Sequence, residues 1–295
     1  MVAVWLATAF PCLARPAWVY LNVDGERRRY FVVEPKSPEP GRALPLVVVF
    51  HGGGGSARGT ALQGFSRLAD RGYLVVFPDG FEHHWSDGRS PAKDLGMSRA
   101  VDDLAFVRAL LDRVARDYPV DPGRVYATGP SNGGIMSHRV GIELSERFAA
   151  IAPIIGGLTE PMARDFAPTR PVSVLIFQST SDPWVPYQGG AISVGKVKAV
   201  PIVSTQRAIE LWRDHNGCSP QPVIEQLTDR ADDGCTVEKS VYSGGRAEVV
   251  FYRIDGGGHT VPGGTQYLPE KVIGKVCRDI DAIDIIADFF DAHHR

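Results

Sequence analysis

The chain has 295 residues, of which 44% are hydrophobic and 22% charged, and its formal net charge is -2. That composition belongs to a globular protein able to bury a sizeable core, and it argues against dominant disorder. There is no excess of Lys and Arg and no basic run, so nucleic acid is not an expected partner.

Met1 to Ala17 (MVAVWLATAFPCLARPA) is an apolar stretch too short to span a bilayer but of the size of a signal-peptide core. That reading implies export, to a secreted or periplasmic location, with cleavage somewhere between Ala9 and Ala17; no Lys or Arg precedes the stretch, and the alternative is a disordered or packed N-terminus. The remainder, 18–295, reads as one domain, since no repeat, low-complexity tract or Pro- or Ser-rich linker divides it. Trp18 to Val23 and Arg28 to Val33 are β-prone runs around an Asp24-Gly25 turn, which predicts an antiparallel hairpin.

From Leu46 the pattern changes. Leu46 to Phe50 (LVVVF) is continuously apolar, as in a strand covered on both faces, and a helix is expected from Ala57 to Arg71. Tyr73 to Phe77 repeats the strand signal. Val101 to Asp117 places Leu104, Val107, Leu110, Leu111 and Val114 on one helical face. Further strands are expected at Val125 to Thr128, Phe148 to Ile155, Val172 to Phe177 and Val249 to Ile254, with helices at Thr205 to His215 and Asp279 to Ala292. This alternation predicts an α/β fold: a mostly parallel central sheet with an antiparallel N-terminal edge and helices on both faces. Sites in such sheets gather at the carboxyl ends of the strands. The stretches Leu158 to Arg170 and Trp184 to Val203 read as insertions framing the site's entrance.

Gly129-Pro130-Ser131-Asn132-Gly133 matches G-x-S-x-G between a strand and a helix, the setting that thrusts a serine hydroxyl out above a sheet. A bare match of five residues would equally describe a serine capping a helix. Pro130 has no amide hydrogen and holds Gly129 extended, which is compatible with a strand end. A nucleophilic serine needs a base, and the base needs a group that fixes its tautomer. His259, in the loop Gly256-Gly257-Gly258-His259 after a late strand, is the expected base. His51, His83, His84, His138, His215, His293 and His294 read as solvated or structural. Asp182, after the run Val172 to Phe177, is the expected orienting acid. Its rival Asp79 precedes the serine, Asp255 lies too close in the chain to His259, and Asp102 and Asp103 favour a helix N-terminus.

His51-Gly52-Gly53-Gly54-Gly55 follows a strand as an oxyanion loop does, and no Gly-Lys-Ser/Thr follows to make it a phosphate loop. The expected oxyanion donors are the amides of Gly53 and Asn132. Cys218 and Cys235 share a polar, loop-like stretch and are expected to form a disulfide, worth roughly 3 kcal/mol for a ring of that size, with Cys277 left free. The alternative is a set of reduced thiols in a cytosolic enzyme. No spacing indicates a metal site.

The strings VVVFHGGGGSA, VVFPDG, VDDLAFVRALLDRV, VYATGPSNGG, FAAIAPI, SDPWVPYQGG, HNGC and GGGHTVPGG, in this order, resemble the polyhydroxybutyrate depolymerase and feruloyl esterase family of α/β-hydrolases. The likeness covers nearly everything after the hairpin. It implies the α/β-hydrolase fold and serine-dependent carboxylic ester hydrolysis without metal or organic cofactor. The family's catalytic positions fall on Ser131, Asp182 and His259, and its oxyanion loop on His51 to Gly53. Two departures stand out: Pro130 in place of a bulky apolar residue, and Val261 where relatives often carry tryptophan. No added polymer-binding domain is visible, which favours feruloyl or other small soluble esters, with Trp85, Trp184 and Tyr187 as stacking faces or as ordinary packing residues. The alternatives are a polyhydroxybutyrate depolymerase, an acyltransferase on the same scaffold and a catalytically silent binding protein.

Overall fold

The computed structural model describes residues 17–39, 41–88, 97–194, 197–198 and 201–295. The expected signal segment, with Cys12, lies outside the described residues up to Pro16.

β1 (Trp18–Val23) and β2 (Glu26–Val33) form the hairpin. Asp24 and Gly25 both take positive φ, 51° and 80°, as a two-residue turn between right-twisted strands requires. Then follow β3 (Leu44–Val49), α1 (Ala57–Leu62), a 3-10 helix (Phe65–Arg71), β4 (Leu74–Pro78), α2 (Asp103–Asp117), β5 (Val120–Pro130) and α3 (Asn132–Glu143). β6 (Ala150–Ile154), α4 (Glu160–Arg164), β7 (Ser173–Ser179), the two-residue strands β8 (Ser193–Val194) and β9 (Val197–Lys198), and α5 (Thr205–Asn216) come next. β10 (Val223–Gln226), β11 (Thr236–Tyr242), β12 (Val249–Asp255), α6 (Glu270–Ile273) and α7 (Ala282–Ala292) complete the chain.

Among the described residues, ten strands make one sheet in the order β1-β2-β4-β3-β5-β6-β7-β12-β11-β10. From β4 to β12 all pairs are parallel. Strands β4 and β6 bury every residue, as their unbroken apolar runs require. In β3, Leu46 and Val48 face a cluster completed by Val107 of α2, Ile135 of α3 and Trp212 of α5. Val47 and Val49 face the other side, against Leu68 of the 3-10 helix and Ile286 and Phe290 of α7. Helices thus cover both faces, the arrangement of the α/β-hydrolase fold. No helix among the described residues is long and apolar enough to cross a membrane.

The structure corrects three expectations. The helix predicted over Ala57 to Arg71 is two pieces, because Gly64 enters the left-handed region at φ 105° between α1 and the 3-10 helix. The far edge is antiparallel as well: β10 and β11 pair beside β12, although β10 is exposed throughout and carries no buried-strand pattern. The expected Cys218–Cys235 disulfide is not formed. Both thiols are free, and the two residues pack on opposite faces of the sheet, Cys218 with Trp212 and Cys235 with Ile254.

Candidate active site

Ser131 sits between the end of β5 and the first turn of α3 with φ 57° and ψ -119°, a conformation that side-chain-bearing residues rarely adopt and that costs about 1 to 3 kcal/mol. Its neighbours hold it there. Its amide donates to Ile154 O at 2.9 Å and its carbonyl accepts from Ile135 N at 3.0 Å. The turn is packed so tightly that a Cβ on either Gly129 or Gly133 would run into the Phe50 carbonyl oxygen, which is why glycine stands at both positions. Pro130 closes β5 opposite Ile154 and lines one of the cavities described below.

His259 and Asp182 arrive from the ends of β12 and β7. His259 Nδ1 lies 2.7 Å from Asp182 Oδ2, and both side chains are buried. Asp182 Oδ1 accepts the amides of Trp184 at 2.8 Å and Val185 at 2.9 Å, so each carboxylate oxygen has its own donors and the group cannot rotate. The imidazole loop is fixed from below: His259 N donates to Ile273 O at 2.5 Å, Gly258 N to Lys275 O, and Tyr267 Oη to His259 O at 3.1 Å.

In the glycine loop the amides of Gly54 and Gly55 donate to His83 O and Gly52 O, whereas no partner for the Gly53 amide is seen among the described residues. Asn132 is anchored by its side chain. Its Oδ1 accepts the Trp85 amide at 2.9 Å, and its Nδ2 donates to Asp87. Trp85 Nε1 in turn donates to His51 O at 2.9 Å. Trp85 therefore ties the glycine loop to Asn132, and being fully buried it cannot be the substrate-stacking face expected of it. Sequence reading also missed Asp87 as a brace, and it placed His51 in the glycine loop without its bond to Gly80. No local pattern marks these two contacts, because Asn132 and Gly80 lie in other segments.

Two cavities adjoin Ser131. The larger, about 340 Å³, is lined by His259, Pro130, Val261, Tyr267 and Leu268 among others, and the smaller, about 220 Å³, by His84, Asn132, Ile135, Val185 and Ile192. Both share Gly53, Gly54, Ser131, Trp184 and Val194. Trp184 thus stands in the site, its ring 4.9 Å from that of His259. Tyr187 does not: it packs beside Phe251, lines neither cavity, and burial pushes its hydroxyl pKa up. His84, read from sequence as solvated or structural, forms a wall of the smaller cavity. The 184–203 insertion supplies four wall residues and is knitted to Leu158 and Glu160 by main-chain bonds from Val203 and to Pro201. Asp79 caps Ala57 and pairs with Arg29, and Asp255 pairs with Arg253, so both rival acids are occupied elsewhere.

Two other histidines carry a consequence for stability. Burial pushes the His51 pKa down to about 4; its Nε2 accepts the Gly80 amide and its Nδ1 donates to Gly52 O, each at 2.8 Å. Burial also pushes His138 down to about 3, with Trp212 Nε1 donating to its Nδ1 at 3.1 Å. Both are neutral in the fold, whereas in the unfolded chain they protonate near pH 6.5. Below that pH the unfolded state binds more protons, so their stabilisation is complete above pH 6.5 and is lost as pH falls toward 4. The loss amounts to about 2 to 3 kcal/mol per histidine by pH 4.5. Thermal unfolding followed from pH 7 to 4.5 will show a steadily falling midpoint; a flat profile contradicts the buried neutral state.

The fold and its strand-end cavities are those of an α/β-hydrolase. Residues 29–193 match the dienelactone hydrolase family, and the chain belongs to that family. It is 31% identical to "Putative esterase NocK" of Nocardia uniformis subsp. tsuyamanensis, over 90% of this chain and 80% of that protein. It is 29% identical to feruloyl esterase B of Piromyces equi over 79% of this chain, spanning 42% of that longer protein. Identity to feruloyl esterase C of Emericella nidulans is 25%, covering 80% of this chain and 77% of that one. Among solved structures, the acetyl xylan esterase from Aspergillus awamori superposes with a TM-score of 0.58 at 15% identity, covering 83% of this chain and 95% of the other, a likeness of fold. Thermogutta terrifontis esterase 2 phosphonylated by cyclosarin gives 0.56 at 16% identity over 94% of both chains. The protein is an ester hydrolase.

Proposed function

We propose that the protein hydrolyses carboxylic esters through an acyl-enzyme on Ser131, with His259 as the base and Asp182 as the group that orients it. The observation that carries this reading is the buried 2.7 Å His259–Asp182 contact beside a cavity that both His259 and Ser131 line. An ionised carboxylate only accepts, so the Asp182 contact assigns the ring proton to Nδ1 and leaves Nε2 to take the serine proton. Ser131 Oγ attacks the carbonyl carbon while its proton passes to Nε2. The carbonyl oxygen becomes an oxyanion facing the Gly53 and Asn132 amides. Collapse expels the alcohol, which takes the proton back from His259, and water repeats the sequence to release the acid.

The same proton path orients the substrate. The leaving oxygen must lie near His259, so the alcohol belongs to the larger cavity and the acyl group to the smaller one walled by Ile135, Val185 and Ile192. Apart from the imidazoles, the described residues lining the two cavities present no ionisable group more acidic than the Tyr267 phenol, which suits uncharged esters. The feruloyl esterases among the relatives and the Trp184 ring together support small soluble aromatic esters as the substrate class. Export through the apolar segment from Met1 to Ala17 belongs to this reading.

Methyl ferulate is expected to give ferulate and methanol in equal amounts. Ile192→Ala, which widens the acyl cavity, will raise kcat/KM for methyl ferulate relative to p-nitrophenyl acetate by roughly tenfold. It will leave the ratio between methyl and ethyl ferulate unchanged. Failure to release ferulate rejects the substrate class, and a change in the alcohol ratio instead reverses the cavity assignment.

A further inference from the structure

Three side chains come together under the imidazole loop, away from the site itself. The Sγ atoms of Cys235 and Cys277 and a carboxylate oxygen of Asp233 all lie within 4.8 Å of one another. Both cysteines are buried, at 1% and 0% exposure, and both thiols are free. Each belongs to a segment tied to the His259 loop. On one side, Lys275 O accepts Gly258 N and Thr260 Oγ1, and Cys277 O accepts Gly263 N. On the other, Cys235 enters β11, whose first residue Thr236 pairs with Asp255 just before the Gly256 turn.

We infer that Cys235 and Cys277 are the disulfide-forming pair of this chain, a covalent clasp between the start of β11 and the strut that supports His259. The reaction oxidises two thiols to one disulfide. With oxidised glutathione as the oxidant, one cysteine thiolate attacks a glutathione sulfur and expels the first glutathione thiolate; the second then attacks the mixed disulfide and expels the other. Two cysteine protons are released and two glutathione thiolates take up protons.

A metal site fits the same atoms less well. Asp233 Oδ1 already accepts Cys235 N at 2.9 Å and its Oδ2 accepts Arg278 N at 2.7 Å, while Asp279 Oδ1 accepts the amides of Arg230 and Ala231. Burial, then Asp233, pushes the Cys235 thiol up, and burial pushes Cys277 up to about 11. A cation would need both as thiolates beside these carboxylates, whereas a disulfide is neutral and removes two buried S–H groups. The same inertness makes oxidation slow in the folded state, so the bond forms while the chain folds.

The full chain is refolded from the reduced, denatured state in a glutathione redox buffer, free thiols are alkylated, and the protein is digested without reduction. The expected product is a linked peptide pair containing Cys235 and Cys277, two hydrogen masses below the sum of its parts, with Cys218 alkylated. Reductant will lower the thermal midpoint of the oxidised protein by roughly 5 to 10 °C. Cys277→Ser will have the lower midpoint in both conditions, and Cys235→Ala serves equally should that variant fold poorly. Alkylation of both cysteines after oxidative refolding, a link from either to Cys218, or zinc co-purifying with the wild type and lost in Cys277→Ser would overturn the clasp.

Discussion

Replacing Ser131 with alanine is expected to lower kcat for a p-nitrophenyl ester by about 10⁴- to 10⁶-fold while leaving KM within a few-fold. Only Oγ is removed: alanine keeps the Cβ, and the bonds that hold the turn are main-chain bonds from Ser131 N to Ile154 O and from Ile135 N to Ser131 O. The thermal midpoint should therefore stay close to that of the wild type. Residual activity above water, of order 10³-fold, is expected because the glycine loop and the cavities still bind and polarise the ester. Steady-state kinetics on protein purified free of host esterases decides the matter, and a loss below tenfold would move the nucleophile elsewhere.

The second large effect comes from Asp182→Asn, and here the structure dictates which way the new amide faces. Oδ1 of Asp182 accepts two amides, from Trp184 and Val185, so the asparagine oxygen must occupy that side. Its NH₂ group then points at His259 Nδ1, which is forced to accept, and the ring proton moves to Nε2, where the base function is needed. The expected result is a fall in kcat of about 10³- to 10⁴-fold in a protein that is folded and nearly as stable as the wild type. Asp182→Ala should instead lose stability too, because the Trp184 and Val185 amides lose their acceptor in a buried turn. Comparison of the two variants by kinetics and thermal unfolding separates orientation of the base from support of the loop. Equal stability losses in both would contradict the argument.

The parts of this protein that sequence alone revealed are those in which one local pattern has one physical outcome. Val47 to Val49 and Leu74 to Phe77 are continuous apolar runs, and only a strand covered on both faces buries every one of them. Asp24-Gly25 can hardly be anything but a tight hairpin turn. The strand-turn-helix setting of Ser131 likewise carries its own geometry, since the glycines flanking it are required by contact with Phe50. The pairing of His259 with Asp182 across 77 positions was approachable from strand order alone.

What sequence did not reveal depends on which face or edge a residue reaches. Cys218 and Cys235 are neighbours in the chain, but the sheet runs between them, and Cys235 meets Cys277 instead. Trp85 and Trp184 are both plausible stacking faces in sequence. One is fully buried, tied to His51 and Asn132, and the other opens onto the cavities beside His259. β10 offers no buried face, so only its pairing with β11 reveals it as a strand. Asp87 acts through Asn132, a contact created by folding alone.

The most direct test of the whole account is covalent. A fluorophosphonate requires an activated serine, so the wild-type protein is treated with an equimolar amount and the modified peptide is sequenced by mass spectrometry. The expected result is one phosphonyl adduct per chain, on Ser131, with labelling slowed at least a thousandfold in His259→Ala. An unlabelled protein that still hydrolyses esters, or an adduct on another residue, would contradict it.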